Sequence, residues 1–138
     1  MEQLHISFAT LSLSSPHLHM GDKTEAVETA RNCNEYGVEL AKRYPEKFAL
    51  LASLPLPEIQ ESIQEIRYCR DVLGIHGFAM LTNYHGDYLG SELLDPVMEE
   101  LNRQLTLVTI HPTLPWKNVP GAAEELPGPM MEYFLRQP

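Results

Sequence analysis

Six histidines, at positions 5, 17, 19, 76, 85 and 111, carry much of the chemistry this sequence can offer. A neutral imidazole is a good ligand for zinc and similar ions, and a rigid strand end is a good mount for one. His111 directly follows the apolar run Leu107-Val108-Thr109-Ile110, so a strand through that run projects its ring from the strand end. A structural or hydrogen-bonding role stands beside the metal role for this residue. His17-Leu18-His19 has the HxH spacing that presents two ligands when the segment is extended. It follows Ser14-Ser15-Pro16 and precedes a helix cap, however, and so reads as a loop. His5, His76 and His85 fit no ligand spacing, and the pairs Glu99-Glu100 and Glu124-Glu125 read as solvated faces or loops. Cys33 and Cys69 form no CxxC and read as reduced structural thiols. GxSxG, GxxxxGK[ST], GxGxxG and HExxH are all absent. That argues against the commonest hydrolase, nucleotide-binding and zincin chemistries.

Positioning these residues falls to four apolar runs of strand length: Ile6 to Leu13, Phe48 to Leu54, Ile75 to Leu81 and Leu105 to Ile110. The second and fourth are almost continuously apolar, as strands buried on both faces are. Helical patterns separate the runs. Ala26, Ala30, Cys33, Leu40, Ala41 and Tyr44 make a stripe over Lys23 to Tyr44, with Asp22 and Glu25 as a capping box and Gly37 as a weak point. Ile59, Ile63, Ile66, Arg70 and Leu73 make a second stripe that Gly74 should end. A third helix opens at Asp95-Pro96, with Leu94, Val97, Met98, Leu101 and Leu105 on its apolar side. The alternation predicts βαβ units and a parallel sheet, whose chemistry belongs at the carboxyl ends of the strands. Those ends are Ser14-Ser15, Pro55, Thr82-Asn83-Tyr84 and His111-Pro112-Thr113. After Ile110 the pattern stops, and only a weak helical signal remains at Met130 to Leu135.

The 138 residues fit one domain, and ten Lys and Arg against nineteen Asp and Glu leave a net charge of −9. So acidic a chain disfavours nucleic acid and anionic membranes as partners. No apolar run approaches the roughly 18 residues of a membrane span, and the N-terminus lacks a basic segment before an apolar core. A soluble, cytoplasmic protein is the expectation.

Several stretches together are recognisable. They are Leu11-Ser12-Leu13-Ser14-Ser15-Pro16, Gly21-Asp22, Arg43-Tyr44-Pro45-Glu46-Lys47-Phe48 and Leu54-Pro55-Leu56-Pro57. Leu81-Thr82-Asn83-Tyr84, Tyr88-Leu89-Gly90, Glu100-Leu101-Asn102-Arg103 and Ile110-His111-Pro112-Thr113 complete the set. In order and spacing the chain resembles the amidohydrolase-related metal-dependent decarboxylases. That group includes the aminocarboxymuconate-semialdehyde, γ-resorcylate and 6-methylsalicylate decarboxylases.

The resemblance implies an α/β fold, a (β/α)₈ barrel of the TIM type, holding a divalent metal, usually zinc, at the carboxyl ends of its strands. It also implies a ligand set: an HxH pair on the first strand, a histidine ending the fifth and an aspartate ending the eighth. A further histidine after the sixth strand takes part in catalysis. The four runs here would be strands two to five, and His111 the fifth-strand ligand. The first-strand HxH would lie upstream of Met1, and His17 and His19 do not replace it. Leu126 to Tyr133 still follows the family, whereas Leu135-Arg136-Gln137-Pro138 departs from it as a truncation or shifted frame would. Residues 1–138 are therefore expected to form a single partial barrel domain, a fragment of a metal-dependent carboxy-lyase for a small aromatic or muconate-type carboxylic acid. Its metal ligand is His111, and Thr82 and Asn83 line the substrate pocket. The chain alone should be inactive, because a catalytic zinc takes about three protein ligands. The alternatives are a non-catalytic α/β module that self-associates through exposed sheet edges, or a metal-dependent hydrolase of the same superfamily.

Overall fold

The computed structural model describes residues 3, 5–14 and 17–113. The helical signal at 130–135, the family-like stretch 126–133, Glu124, Glu125, Ser15 and Pro16 lie outside them. In chain order the elements are β1 (Ala9–Leu11), α1 (Lys23–Arg43), β2 (Phe48–Leu50), β3 (Ala52–Ser53) and α2 (Ile59–Tyr68). A π-helical turn (Cys69–Leu73) follows, then β4 (Gly77–Leu81), β5 (Asn83–Tyr84), β6 (Asp87–Tyr88), α3 (Asp95–Arg103) and β7 (Leu107–His111).

The parallel strands lie in chain order, with the β5–β6 hairpin set apart from them. β1 runs parallel to β2, with Ala9 opposite Phe48 and Leu11 opposite Leu50. The Leu51 amide still donates to Leu11 O at 2.9 Å, but the chain then becomes β3 and pairs with β4 instead. β4 pairs along its whole length with β7, from Gly77 opposite Leu107 to Leu81 opposite His111. Every one of these pairings is parallel, as consecutive βα units require. The parallel strands form two sheets, β1–β2 and β3–β4–β7, with no closed barrel among the described residues.

α1 packs on β2 and β3, and α2 and α3 pack on each other and share a core with β4. Asp22 caps α1 as expected, its Oδ1 accepting from the Glu25 amide at 2.8 Å. The buried face of α1 differs from the expected stripe: it is Ala26, Ala30, Asn34, Gly37 and Val38, while Tyr44 is exposed. Close approach explains the difference. A Cβ on Gly37 would stand 2.7 Å from the Leu50 methyl groups, so glycine lets the helix sit directly on β2. α2 passes into the π-helical turn and stops at Gly74, whose φ of 74° is the left-handed cap predicted for it. α3 takes Leu94 as its N-cap, which moves Asp95 and Pro96 into the first turn. Leu105 lies neither on its stripe nor in a strand; it is 90% exposed in the turn before β7.

Leu54, Leu56, Ile66, Phe78, Met80, Leu94 and Val97 are fully buried and form the core with neighbouring apolar side chains. β4 is buried at all five positions. β7, expected to be buried on both faces, is instead largely exposed, because it is an edge strand among the described residues. The first strand is shorter than its apolar run, with Ile6, Phe8 and Leu13 exposed on either side.

One polar group lies deep between α1 and the sheet. Asn34 Nδ2 donates to Ser53 O and to Glu65 Oε1, both at 2.9 Å, and Asn34 Oδ1 accepts from the Ser53 amide at 2.9 Å. The side chain thus partners the backbone of β3 just where β1 has ended. Arg31 pairs with Glu65 (2.9 and 2.8 Å) and lies 3.4 Å over the Tyr68 ring. This leaves the buried carboxylate both hydrogen-bonded and charge-paired.

Candidate functional site

The carboxyl ends of β4 and β7 meet, and this brings the three expected site residues together. His111 is the last residue of β7 and is exposed, opposite Leu81. Thr82 follows β4 directly. Its amide donates to His111 O at 3.2 Å, its Oγ1 accepts from the Thr113 amide at 3.1 Å, and its carbonyl accepts from the Leu89 amide at 3.3 Å. Asn83 is 6% exposed and begins a small antiparallel hairpin, β5–β6. His85 and Gly86 form its turn, with φ values of 53° and 100°. Two consecutive left-handed residues match the twist of a two-residue hairpin, and the X-Gly pair was the available signal for it.

The hairpin faces the loop after β1. Tyr84 is buried, and its hydroxyl oxygen accepts from the Leu81 amide at 2.8 Å, so the ring folds back over the end of β4. Burial pushes the Tyr84 hydroxyl well above its ordinary range. The His17 ring meets the Tyr84 ring edge to face, centroids 5.9 Å apart. Both His17 nitrogens are buried without a hydrogen-bond partner among the described residues, and desolvation lowers the imidazole to about 4. His17 is therefore neutral at pH 7.

His19 turns to other neighbours. Its Nδ1 accepts from the Gly21 amide at 3.2 Å, its ring stands edge-on to His85, and its Nε2 lies 3.4 Å from Glu58 Oε1 without hydrogen-bond geometry. Each ring of the HxH pair is thus engaged locally. Lys23 joins the ends of α1 and α2 by reaching Glu58 (3.3 Å) and Glu61 (2.7 Å). The bond to Glu61, then that to Glu58, raises the lysine, and Lys23 in turn lowers Glu61.

Among the described residues, no group of three or more His, Cys, Asp or Glu side chains is placed to hold a metal ion. His111 offers one imidazole, which suits one position of a metal site but does not make a site. No described helix is long and apolar enough to cross a membrane. The signals that sequence reasoning missed were the commitment of Thr82 to backbone partners and the burial of His17 against Tyr84. Both depend on which loops meet in space.

Comparison with known proteins bears on the family and the fold. An amidohydrolase family model (Amidohydro_2) matches residues 6–136. A 6-methylsalicylic acid decarboxylase of Aspergillus aculeatus is 32% identical over 134 residues, covering 94% of this chain and 40% of the relative. A solved amidohydrolase II structure superposes with a TM-score of 0.84 at 35% identity, covering 95% of this chain and 43% of that one. A 5-carboxyvanillate decarboxylase from Novosphingobium aromaticivorans, solved with bound manganese, gives a TM-score of 0.74 at 26% identity, covering 79% of this chain and 32% of that one. The chain spans about 40% of the length of the curated relatives that match along most of it.

Proposed function

We propose a function from one premise: the chain belongs to the amidohydrolase family. It is a segment of a metal-dependent decarboxylase of small aromatic carboxylic acids, and His111 is one of the metal ligands. The observation that carries this reading is the place of His111, exposed at the carboxyl end of a parallel strand and beside the end of its neighbour. Relatives matching the same stretch are named for decarboxylation of 6-methylsalicylic acid and of 5-carboxyvanillate, and the second was solved with manganese.

A bound divalent ion would supply Lewis-acid polarisation of the substrate. From this chain, His111 gives one nitrogen, and Thr82 and Asn83 border the substrate from the adjoining strand end. Zinc is proposed over manganese, because nitrogen donors hold zinc the more tightly of the two. With one ligand among the described residues where a catalytic zinc needs about three, the chain alone binds metal weakly and turns over no substrate.

Calorimetric titration of zinc into the chain and into His111→Ala tests this. Heat present in the wild type and lost in the variant is expected; equal heats would remove His111 from the ligand set. Chelator-sensitive decarboxylation of 6-methylsalicylate by the chain alone would refute its inactivity. Self-association is a second property we propose, favoured by Leu107 (65% exposed) and Ile110 (53%) on the edge strand β7. A monomer across a concentration series in size-exclusion chromatography would dismiss it.

A further inference from the structure

We infer that Thr82 is a positioning residue for His111, clamping the backbone on both sides of the residue that carries the imidazole. The amide of Thr82 holds the carbonyl of His111 (3.2 Å), and its hydroxyl oxygen holds the amide of Thr113 (3.1 Å). Between those two anchors lies Pro112, which has no amide to donate and a fixed φ near about −65°. Little freedom is left for the main chain leaving β7. The clamp matters because His111 is exposed, so packing does not fix its direction. Thr113, in contrast, is only 9% exposed, so its amide cannot simply exchange Thr82 for bulk water. Thr82 is itself anchored, following the fully buried β4 and accepting from the Leu89 amide at 3.3 Å. The clamp therefore transmits the rigidity of the core to an edge strand. Its value for metal binding rests on the function proposed above, whereas its geometry does not.

The test is heteronuclear NMR on the full 138-residue chain and three variants. Thr82→Val keeps the branched shape and removes the acceptor; Thr82→Ser keeps the acceptor. Thr82→Val should speed Thr113 amide exchange about tenfold, the size of one ordinary hydrogen bond. It should also lower the backbone order parameters of His111 and Thr113 measurably below the rigid value of about 0.85, Thr113 the more. Thr82→Ser should restore both values. Should Thr82→Val not fold, Thr82→Ala gives the same readout. Unchanged exchange and order in a folded variant would overturn the inference. So would the failure of both variants to fold beside a folded Thr82→Ser, since the hydroxyl would then be holding the fold and not one side chain. A manganese titration separates the two claims. Broadening of the His111 ring signals in the wild type, weakened in Thr82→Val and regained in Thr82→Ser, supports both. No broadening anywhere, with the exchange and order effects intact, removes the metal reading and leaves the clamp standing.

Discussion

Replacing Asn34 with alanine is expected to be among the costliest single changes in this chain. Four hydrogen bonds disappear at once, three from Nδ2, of which the one to Cys69 Sγ is long at 3.5 Å, and one to Oδ1. Glu65 keeps Arg31, but the amide and carbonyl of Ser53, a residue only 2% exposed, lose their partner together. Each orphaned buried backbone group costs about 1–3 kcal/mol, which brackets the change between about 2 and 6 kcal/mol. A cavity of about 180 Å³ between β1 and α1 is lined by Asn34 and Ser53 and is large enough for water. Water entry pulls the expected loss to roughly 2–4 kcal/mol, a large share of a domain stability of about 5–15 kcal/mol. Urea unfolding followed by circular dichroism at pH 7 reads this as a midpoint lowered by about 1–2 M, for a slope of about 2 kcal/mol/M. Asn34→Asp is the informative companion. It retains an acceptor for the Ser53 amide, removes the donor to the Ser53 carbonyl, and sets a second carboxylate against Glu65. It should cost at least as much at pH 7 and recover part of the loss in acid. A loss below about 0.5 kcal/mol for Asn34→Ala would refute the argument that Ser53 depends on this side chain.

Three further outcomes follow from the same physics. His17 is lowered from its ordinary 6.5 to about 4, so the unfolded chain takes the proton first; stability is full above about pH 6.5 and falls by up to roughly 3 kcal/mol towards pH 4. His17→Asn, which accepts the φ of 72° at this position, should flatten that loss, and parallel urea profiles at pH 7 and 4.5 for both proteins would count against it. The Arg67 and Arg103 guanidiniums hold Glu100 at about 2, so its contribution is present above about pH 4.5 and lost between 4.5 and 2. Glu100→Gln should cost about 1–2 kcal/mol at pH 7 and much less at pH 2; equal losses at both would exclude the ion pairing. Burial, followed by the Glu65 carboxylate, pushes the Cys69 thiol up, whereas Cys33 lines the cavity and is half-exposed. A thiol reagent should therefore titrate Cys33 in the native chain and Cys69 only after unfolding, and a single rate for both would contradict this.

The periodicity of the chain carried most of the architecture. Apolar runs alternating with amphipathic stretches placed each parallel strand and helix, and Asp22 and Gly74 marked two helix ends correctly. What periodicity did not carry was anything set by contact between distant segments. Asn34 gave no signal in the periodicity of α1, yet it is buried and partners the backbone of Ser53 after β1 stops. β7 reads as a doubly buried strand, because apolar content reports what a strand could bury and not whether a neighbour stands beside it. At the site, the strand ends were visible as Thr82, Asn83 and His111. The Thr82 clamp was not, since two of its bonds span about thirty residues.

The segment from Phe48 to Ser53 has one further consequence. Its first half belongs to the ladder with β1 and its second half to the ladder with β4, and Leu51 alone joins the two. A sheet built this way has a seam. β1 and β2 are partly buried or exposed at every position, whereas β3 and β4 are buried throughout, so the two sides of the seam differ in what holds them. Detaching β1 breaks only its own short ladder and leaves the core untouched. The half of the segment beside β1 is therefore held by less buried surface than the half beside β4, and is the side expected to open first. Asn34 grips Ser53 just past the seam, on the side that belongs to β4.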